Sequence, residues 1–490
     1  MGWLRRHPLT AFLPLQAVLY CWNLALLSPW TDEAGTLAMV RQPLAELIRF
    51  AAADVHPPLY YFLLYCWRYV PLGLEWTVQA RLLSVLFALA GTVALDWLWG
   101  RGREARERVG MLALWTLSPC LLLYARMCRS YSLQALCGIL VVGLLFRFLE
   151  RRTWQRGAWL ALAMLASLYT HYAAGLALIA VANLGLAWKR QWRAAALIDG
   201  AIGVGYLPWV LQLTASLQNW GHNTRGYTLT GNALLEVPVK LAYWTVSFVM
   251  GEAQPDVLLV AGAAVAVAAA WAVWAGARRN PELAWAAAGL AGIGFVGVAR
   301  WVSYPFVPAR LLFVLPFFVV LAARGAAARG RRGALVAGAM LLFSVSGIWC
   351  YFHKTGFRNK QYPMPMEEIV QRMTRDAAAD SAILVDSTNS DPMAVAYLLD
   401  GRRPFLETGR PGTAEAVERL LADPRVRTVW FLRNTHDVSE SGLDALYEAV
   451  LRARMAVEVH PYEAYTPLER LLMRRADAPR YFHELLEFHR

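Results

Sequence analysis

Cysteine is scarce in this sequence. The chain of 490 residues has six cysteines, and none of them follows Cys350. Residues 351–490 therefore contain no disulfide bond. The six cysteines also lack the spacing of a metal site, so a small apolar side chain in or near an apolar segment is their ordinary role.

Two further sequence signals are absent. No glycine-rich phosphate loop occurs in the C-terminal part, which gives no support to nucleotide binding there. No internal repeat occurs either, and low complexity is confined to alanine-rich stretches such as 261–271.

Charge is also scarce. Only 17% of the residues are charged, 58% are hydrophobic, and the mean hydropathy is +0.36. Several segments of about 17–22 residues carry almost no charge and are long enough to cross roughly 30 Å of hydrocarbon. The sequence thus predicts a polytopic α-helical membrane protein with about eleven spans, near 9–29, 78–99, 109–125, 131–148, 157–170, 173–188, 194–213, 255–276, 282–299, 310–323 and 333–350.

The net charge of +13 has a distribution that predicts the orientation. In a soluble protein this excess would suggest nucleic acid, but here the basic residues gather in short loops between the predicted spans. With the N-terminus inside, every predicted inside loop is basic, and an odd number of spans then places the C-terminus outside. Arg5 and Arg6 precede the first apolar segment as in a signal peptide, but no small-x-small cleavage site follows, so we expect a retained span.

The segments on the predicted outer side are longer. Residues 37–50 have apolar positions at helical spacing with charges between them, which predicts an amphipathic surface helix, and 58–70 has the composition of a second one. Residues 351–490 alternate short apolar runs with helical patterns and predict a small α/β domain. The predicted organisation is a transmembrane domain over 1–350, with the outer loop 30–77, and an extracytoplasmic α/β domain over 351–490.

Two adjacent acids, Asp32 and Glu33, follow the first apolar segment. Carboxylates beside a membrane-embedded core are costly and are by default functional candidates. One of them can face a cavity as a base while the other caps or positions, because neighbouring residues point in different directions. The alternative is a helix-capping pair for a surface helix beginning near Gly35, and position alone does not separate the two.

Asp54 and His56 form a second polar group, in Asp54-Val55-His56-Pro57-Pro58. Pro57 favours an extended backbone at His56, so the two polar side chains are held on a rigid segment. Such a pair beside the acids is suited to a metal, a phosphate or a sugar. The alternative is that Asp54 caps a short helix that starts at the prolines.

Cationic groups recur on the predicted outer side, where the positive-inside rule predicts few. Arg129 lies between the third and fourth spans, and His171 lies in the next outer turn. Arg310 precedes the tenth span from the outer side, and Lys240 and Tyr304 also lie on outer segments. A buried phosphate would draw such groups together, because a guanidinium matches phosphate oxygens in a fork. Contact with lipid head groups is the alternative for Arg129, and a structural role is the alternative for a single histidine.

At these residues the sequence resembles the GT-C superfamily of lipid-linked-sugar glycosyltransferases, most of all the bacterial protein O-mannosyltransferase and aminoarabinose transferase group, a family 39-like resemblance. The matching stretches are Asp32-Glu33-Ala34, Asp54-x-His56-Pro57-Pro58-Leu59-Tyr60-Tyr61, Arg81-Leu82-Leu83-Ser84, Tyr169-Thr170-His171-Tyr172, and Arg310 with Pro316. The resemblance implies a GT-C fold, a polyprenyl-phosphate-sugar donor and an inverting transfer at the outer membrane face.

The resemblance also implies roles for individual residues. Asp32 would deprotonate the acceptor hydroxyl, and Glu33, Asp54 and His56 would shape the sugar and acceptor site. The donor phosphate would be held by Arg129, His171 and Arg310. Beyond the resemblance, we predict that Glu33 belongs to the catalytic site with Asp32 and that Lys240 helps to bind the phosphate. We also predict that Tyr131, Tyr172 and Tyr304 help to bind the sugar or the acceptor.

The sequence departs from the group at one position. Related sequences often have an acid two residues before the arginine that matches Arg129, whereas this chain has Met127 and no carboxylate over 123–132. A divalent-metal mechanism is therefore disfavoured, although Asp32, Asp54 and His56 could still form a metal site.

The predicted function is an enzyme of the bacterial inner membrane that moves a sugar from a polyprenyl monophosphate to an extracytoplasmic glycan, lipid or protein. Two alternatives stay open. One is a transporter or flippase of lipid-linked sugars, and the other is a ligase that transfers a whole glycan from a pyrophosphate-linked carrier. The sequence does not identify the sugar or the acceptor.

Overall fold

The structure is a computed structural model that describes residues 7–53, 56–213, 233–299, 308–375, 380–387, 391–435, 443–472 and 479–490. The chain divides into two compact units. The first comprises Met1–Leu24 and Met39–Gly356, and the second comprises Ala25–Ala38 and Phe357–Arg490.

The first unit is helical. A π-helical turn at Asp96–Gly100 continues α5, and 3-10 turns lie at Asp256–Leu258 and Pro308–Leu311. The helices are α1 (Leu9–Cys21), α2 (Thr31–Arg41, whose first residues belong to the second unit), α3 (Leu44–Ala53), α4 (Leu59–Trp67), α5 (Trp76–Leu95), α6 (Ala105–Thr116), α7 (Pro119–Ala125), α8 (Tyr131–Glu150), α9 (Trp154–Thr170), α10 (Tyr172–Trp188), α11 (Trp192–Leu213), α12 (Ala233–Met250), α13 (Leu259–Arg279), α14 (Pro281–Ala299), α15 (Leu315–Ala328) and α16 (Gly330–Phe352).

Several of these helices are long and apolar enough to cross a membrane. In the described part of the chain, five qualify alone and a sixth span is possible if α6 and α7, which bend by 48°, count as one. Ser118 accepts a hydrogen bond from the backbone of Leu121 and Pro119 follows it, so a new helix starts where the bend lies. Four shorter apolar helices accompany them, namely α1, α10, residues 281–296 of α14, and α15. The chain is a multi-pass membrane protein, and the count of eleven spans stays a prediction.

The first predicted span is shorter than expected. The sequence predicts it over 9–29, but α1 ends at Cys21, and Asn23 has a left-handed backbone with φ of 45°. The guanidinium of Arg126 donates to the carbonyls of Tyr20 and Trp22, each at 2.7 Å. Carbonyls at a helix end need donors, and the buried Arg126 supplies them.

The predicted amphipathic helix over 37–50 is two helices. α2 ends at Arg41, and α3 begins at Leu44 directly after Pro43. A proline disfavours the helical conformation at the residue before it and lacks an N–H, so the helix breaks there. α4 begins directly after Pro57-Pro58, within the predicted second surface segment.

The second unit is the α/β domain, with a five-stranded sheet in the order β2-β1-β3-β5-β4. β1 is parallel to β2 and β3, whereas β5 is antiparallel to β3 and β4. Alternate residues of β1 face opposite sides, so Ile383 lies in one apolar cluster and Leu384 in the other. Its elements are α17 (Met366–Arg375), β1 (Ser381–Val385), α18 (Asp391–Leu399), β2 (Leu406–Glu407), α19 (Thr413–Ala422), β3 (Thr428–Asn434), α20 (Leu443–Arg452), β4 (Ala456–Ala464), α21 (Pro467–Leu472) and β5 (Tyr481–His489).

The segment Ala25–Ala38 packs on this α/β domain. Ala34 has no exposed surface and belongs to the same apolar cluster as Ile369 and Trp430. The ring of Trp30 contacts that of Tyr362 edge to face at 5.3 Å, and Ser28 accepts a hydrogen bond from the backbone of Glu367. The sequence had assigned this segment to the transmembrane domain, and the structure assigns it to the second unit.

Candidate active site

Two arginines and two histidines from separate loops of the first unit lie together. His56 precedes α4, Arg129 precedes α8, His171 lies between α9 and α10, and Arg310 lies on the turn before α15. The side chain of Arg129 is buried, and its Nη2 lies 3.1 Å from Nε2 of His56. The rings of His56 and His171 are 6.4 Å apart and meet edge to face. We call these four residues the cation–imidazole cluster.

The pKa of the His171 side chain is lowered by its surroundings. Burial is the largest cause, and with the positive charge of His56, Arg310 and Arg129, in that order, it lowers the pKa of His171 to about 3. Desolvation and nearby positive charge both disfavour the imidazolium. His171 is therefore neutral at ordinary pH and serves as a hydrogen-bonding group rather than as a cation.

The hydrogen bonds of the two histidines define their tautomers. A guanidinium only donates, so Nε2 of His56 accepts from Arg129 and the proton lies on Nδ1. Nδ1 of His171 accepts from the backbone N–H of Ala174 at 3.3 Å, so its proton lies on Nε2. Each neutral ring thus has an N–H donor, and the cluster as a whole is rich in donors to an anion.

Arg129 is held in place through its backbone. The Ser84 hydroxyl donates to the carbonyl of Arg129 at 3.2 Å, and the hydroxyl of Tyr60 lies 2.7 Å from that of Ser84. Ser132 donates to the carbonyl of Ser84 at 2.7 Å. These bonds join α4, α5 and the start of α8. Tyr60 and Ser84 belong to two of the stretches on which the family resemblance rests, and here they position the cluster.

Arg310 is positioned by α8. Nε2 of Gln134 donates to the carbonyl of Arg310 at 3.2 Å. One turn further along α8, a Cβ at Gly138 would lie 2.7 Å from the carbonyl oxygen of Phe313. The absence of a side chain at Gly138 therefore lets the turn that carries Arg310 approach α8 closely.

The other arginines of these segments have structural partners. Arg126, three residues before Arg129, donates to the carbonyls at the end of α1 and to the hydroxyl of Tyr351 at 2.9 Å. Arg81 is also buried and donates to the carbonyl of Leu24 at 2.8 Å. Burial alone does not distinguish a structural arginine from a candidate binding arginine, but the groups that accept their hydrogen bonds do.

The remaining predicted binding residues are placed as follows. The ring of Tyr131 lies 6.0 Å from the guanidinium of Arg129. The hydroxyl of Tyr172, next to His171, accepts from Nε1 of Trp209 at 2.9 Å. Lys240 is buried on α12. Asp54 and Tyr304 lie outside the described residues.

Glu252 is a buried acid that the sequence interpretation missed. Its carboxylate accepts hydrogen bonds from the hydroxyls of Tyr124 and Tyr243. Burial raises the pKa of Glu252 to about 7, against the effect of these two bonds. The ring of Tyr124 contacts that of Tyr131 at 5.2 Å, and Tyr131 lies beside Arg129. The sequence feature that could have identified Glu252 is a single acid directly after an apolar stretch with several aromatic residues.

The acid pair belongs to the second unit. α2 begins at Thr31, so Asp32 and Glu33 lie in its first turn rather than before a helix starting at Gly35, as one alternative expected. The side chain of Asp32 is exposed and that of Glu33 is buried. The backbone carbonyl of Asp32 accepts from the hydroxyl of Thr36 at 2.9 Å. Acids in a first turn interact favourably with the helix dipole, whatever else they do.

The described residues contain one group of acids and imidazoles with ligand atoms close enough for a metal ion, Glu458, His460 and Glu487 in the α/β domain. It includes neither the acid pair nor His56. A guanidinium nitrogen of Arg372 lies 3.2 Å from Nε2 of His460, which places positive charge where a cation would bind.

Comparison with known proteins adds to this geometry. Residues 55–299 match the model of glycosyltransferase family 87. No curated protein sequence gives a significant match. Among solved structures, apo ArnT from Cupriavidus metallidurans has a TM-score of 0.61 at 13% identity, covering 99% of this chain and 98% of ArnT.

Two other solved structures are similar. ArnT from the same organism bound to undecaprenyl phosphate has a TM-score of 0.60 at 14% identity, over 99% of this chain and 98% of that one. The oligosaccharyltransferase of Archaeoglobus fulgidus, in complex with zinc and sulfate, has a TM-score of 0.52 at 10% identity, over 94% of this chain and 72% of that one. At these identities the likeness concerns the fold.

The predicted GT-C superfamily is confirmed, and so is the predicted fold of membrane helices with a small C-terminal α/β region. The description as family 39-like was loose, since the matched family model is that of family 87. The chain belongs to glycosyltransferase family 87 and is a membrane glycosyltransferase of the GT-C superfamily.

Proposed function

We propose that the enzyme transfers a sugar from a polyprenyl monophosphate to a hydroxyl group of an extracytoplasmic acceptor, with inversion at the anomeric carbon. The observation that carries this proposal is the cation–imidazole cluster. It gathers two guanidinium groups and two neutral imidazoles in a membrane unit, where charged groups are costly to place. The similar ArnT has been solved with undecaprenyl phosphate bound, which supports a lipid of this class as the donor.

The leaving group defines what the cluster does. When the bond between the anomeric carbon and the phosphate oxygen breaks, its electron pair stays on the phosphate, which gains negative charge. Arg129 and Arg310 stabilise that charge, and the N–H groups of His56 and His171 donate to the phosphate oxygens. Lys240 adds a further positive charge on the donor side.

The nucleophile needs a base. We assign this role to Asp32, whose carboxylate takes the proton of the acceptor hydroxyl as that oxygen bonds to the anomeric carbon. Glu33 supports Asp32 in the same turn of α2. Direct displacement by the acceptor oxygen makes the transfer inverting.

The sugar and the acceptor are assigned to the polar groups around this chemistry. Asp54, His56, Tyr131, Tyr172 and Tyr304 are the proposed binding residues. A metal ion is not required by this scheme, because the arginines neutralise the leaving group.

We further propose that the enzyme lies in the bacterial inner membrane with the α/β domain on the periplasmic side. The basic residues of the loops 101–108, 151–156, 189–193, 278–279 and 324–332 support a cytoplasmic position for those loops. The α/β domain then helps to choose an extracytoplasmic acceptor.

The donor class is tested with the purified full-length enzyme and two series of synthetic polyprenyl carriers, one with a monophosphate and one with a pyrophosphate. We expect release of polyprenyl phosphate and sugar transfer with the monophosphate series. Transfer from pyrophosphate carriers alone would identify a ligase. Movement of the carrier across a proteoliposome membrane without any transfer would identify a flippase.

The residue roles are tested in the same assay. Arg129→Gln should lower kcat/KM by about 10²–10³-fold, as expected for loss of a group that stabilises the developing charge. The control is Arg68→Gln, since Arg68 stacks on Tyr65 and Tyr69 at 4.1 and 4.7 Å and takes no part in the cluster. Asp32→Asn should abolish transfer while donor binding persists. Full transfer by Asp32→Asn would contradict the assignment of the base.

A further inference from the structure

A polar pocket lies at the far end of the span that contains Ser84. α5 and its π-helical turn form one apolar span, Trp76–Gly100. Its 25 residues extend about 37 Å at 1.5 Å per residue, which is enough to cross a bilayer. At the Gly100 end lies a small pocket that is partly open to solvent, and its lining includes Trp99, Arg103, Arg108 and Arg324.

Arg324 is a buried cation with neutral partners. It is 4% exposed, and it donates to the side-chain oxygen of Asn280 at 2.7 Å and to the carbonyl of Trp99 at 3.3 Å. A guanidinium has five N–H groups, so these two bonds leave donor capacity. In the part of the chain that the structure describes, Arg324 forms no ion pair with a carboxylate. Keeping an uncompensated charge buried is costly, and an anion would remove that cost.

The buried acid nearby is already paired. Asp96 accepts two hydrogen bonds from Arg108, with Nε to Oδ1 at 2.6 Å and Nη2 to Oδ2 at 2.7 Å. This bidentate pair neutralises Arg108. Arg103, Arg324 and Glu107 then remain as charged groups of the lining, and they leave a net positive charge.

Trp99 supplies an independent sign of a missing ligand. The side chain is 7% exposed and packs edge to face on Phe146 and Phe317, at 5.5 and 6.0 Å. Its buried Nε1–H has no acceptor among the described residues. Leaving such a buried donor unpaired is costly. Trp99 also lies in a π-helical turn, a form that recurs at functional sites.

We propose that this pocket binds a phosphate group. Phosphate offers several acceptor oxygens and negative charge, which match the guanidinium groups of Arg324 and Arg103 and the indole N–H of Trp99. The group is carried either by an anionic lipid head group or by free phosphate. The site lies near one end of the Trp76–Gly100 span, away from Ser84 and the cation–imidazole cluster, and it does not depend on the proposed reaction.

The test measures phosphate binding by full-length protein in a neutral detergent. Short-chain phosphatidylglycerol, short-chain phosphatidylcholine and inorganic phosphate are each titrated, and binding is followed by the thermal unfolding midpoint and native mass spectrometry. Arg103→Gln removes one charge from the lining. Trp99→Phe keeps an aromatic ring and removes the N–H. Arg106→Gln is the control, because Arg106 belongs to the same basic segment, in the first turn of α6, but does not line the pocket.

If the pocket binds a lipid phosphate, phosphatidylglycerol stabilises the wild type and Arg106→Gln equally. Arg103→Gln and Trp99→Phe should each bind it about tenfold more weakly, through loss of one strong hydrogen bond. Stabilisation by inorganic phosphate with the same variant pattern identifies free phosphate as the source. Equal affinity of all four proteins for every probe, or no binding of any probe, overturns the proposal. The test leaves out Arg324→Gln. This variant loses the hydrogen bonds to Asn280 and Trp99, so a loss of phosphate binding would not be separable from unfolding.

Discussion

Two arginines three positions apart illustrate how the acceptor decides what a buried cation does. Arg126 donates to main-chain carbonyls at the end of α1, whereas Arg129 donates to an imidazole in the cation–imidazole cluster. Backbone carbonyls belong to the folded chain itself, so Arg126 contributes to stability. An imidazole beside further donors forms part of a surface that suits an anion.

Arg126→Gln should therefore lower stability. The variant loses charged hydrogen bonds to the carbonyls of Tyr20 and Trp22, each worth about 1.5–3 kcal/mol. We expect a lower unfolding midpoint in detergent, with donor KM close to that of the wild type for the folded fraction. Arg129→Gln is the matched comparison, and its defect should be in turnover. The opposite pattern would contradict this division of roles.

Glu252 predicts a pH dependence of stability. Its pKa is raised to about 7 in the folded protein, so the folded state binds a proton that the unfolded state has lost between about pH 4.5 and 7. Stability therefore falls as the pH rises through this window, by at most about 3 kcal/mol. Glu252→Gln should remove this part of the slope when the unfolding midpoint is measured from pH 5 to 8. A wild-type slope that survives in Glu252→Gln would assign it to another group.

At the scale of elements, the approach of α8 to the turn Pro308–Leu311 sets the position of Arg310. The approach depends on Gly138, since a Cβ there would lie 2.7 Å from the main-chain oxygen of Phe313, two residues after this turn. The contact between α8 and this turn therefore helps to set the position of Arg310 in the cation–imidazole cluster.

Gly138→Ala should shift this turn and weaken donor binding. We expect a loss of about 1–3 kcal/mol of stability from overpacking, with a raised donor KM. Gly200→Ala is the control, because no atom lies within 4 Å of its added Cβ, and a helical Gly to Ala change there gains about 1 kcal/mol of helix propensity. Unchanged stability and KM in Gly138→Ala would show that the turn adjusts freely.

The sequence predicted elements where one periodicity dominated. The helix Met366–Arg375 and the strand Ser381–Val385 agree with the helical patterns and short apolar runs predicted for residues 351–490. β5 was missed because Tyr481–His489 includes two glutamates and two histidines that interrupt its alternation. Its pairing with β3 and β4 on both sides decides that it is a strand, and this pairing is not visible locally.

Part of the candidate site was also predictable from the sequence. Arg129, His171 and Arg310 were candidates because cations are unexpected in the predicted outer loops, and the structure brings them together with His56. Nothing local distinguishes Arg129 from Arg126, since only their acceptors differ. Glu252 has no motif around it, and its partners Tyr124 and Tyr243 lie on two different helices.

At the scale of the whole molecule, the acid pair and the α/β domain belong to one unit. Ala34 contributes to the apolar cluster of that unit, and Trp30 contacts Tyr362. The α/β domain therefore packs against the segment that carries the proposed base. This role is separate from its proposed part in the choice of acceptor.

A chain truncated after Gly356 should lose the packing of residues 25–38. We expect limited proteolysis to cut this segment in the truncated protein and to spare it in the full-length protein, because buried apolar residues such as Ala34 lose their cover. Sugar transfer should be lost at the same time. Continued protection of residues 25–38 in the truncated protein would contradict this dependence. Cleavage at the loop 101–104 serves as the internal control, since it lies in the first unit.

The membership of residues 25–38 in the second unit also has a consequence for biosynthesis. The packing partners of Ala34 begin more than 300 residues later in the chain. At 5–20 residues per second, translation of the intervening membrane helices takes roughly 15–60 s. During that time the segment with Asp32 has been made but its partner does not yet exist. The proposed base therefore reaches its final environment only when the ribosome has almost finished the chain, and we expect an incomplete chain in the membrane to be inactive.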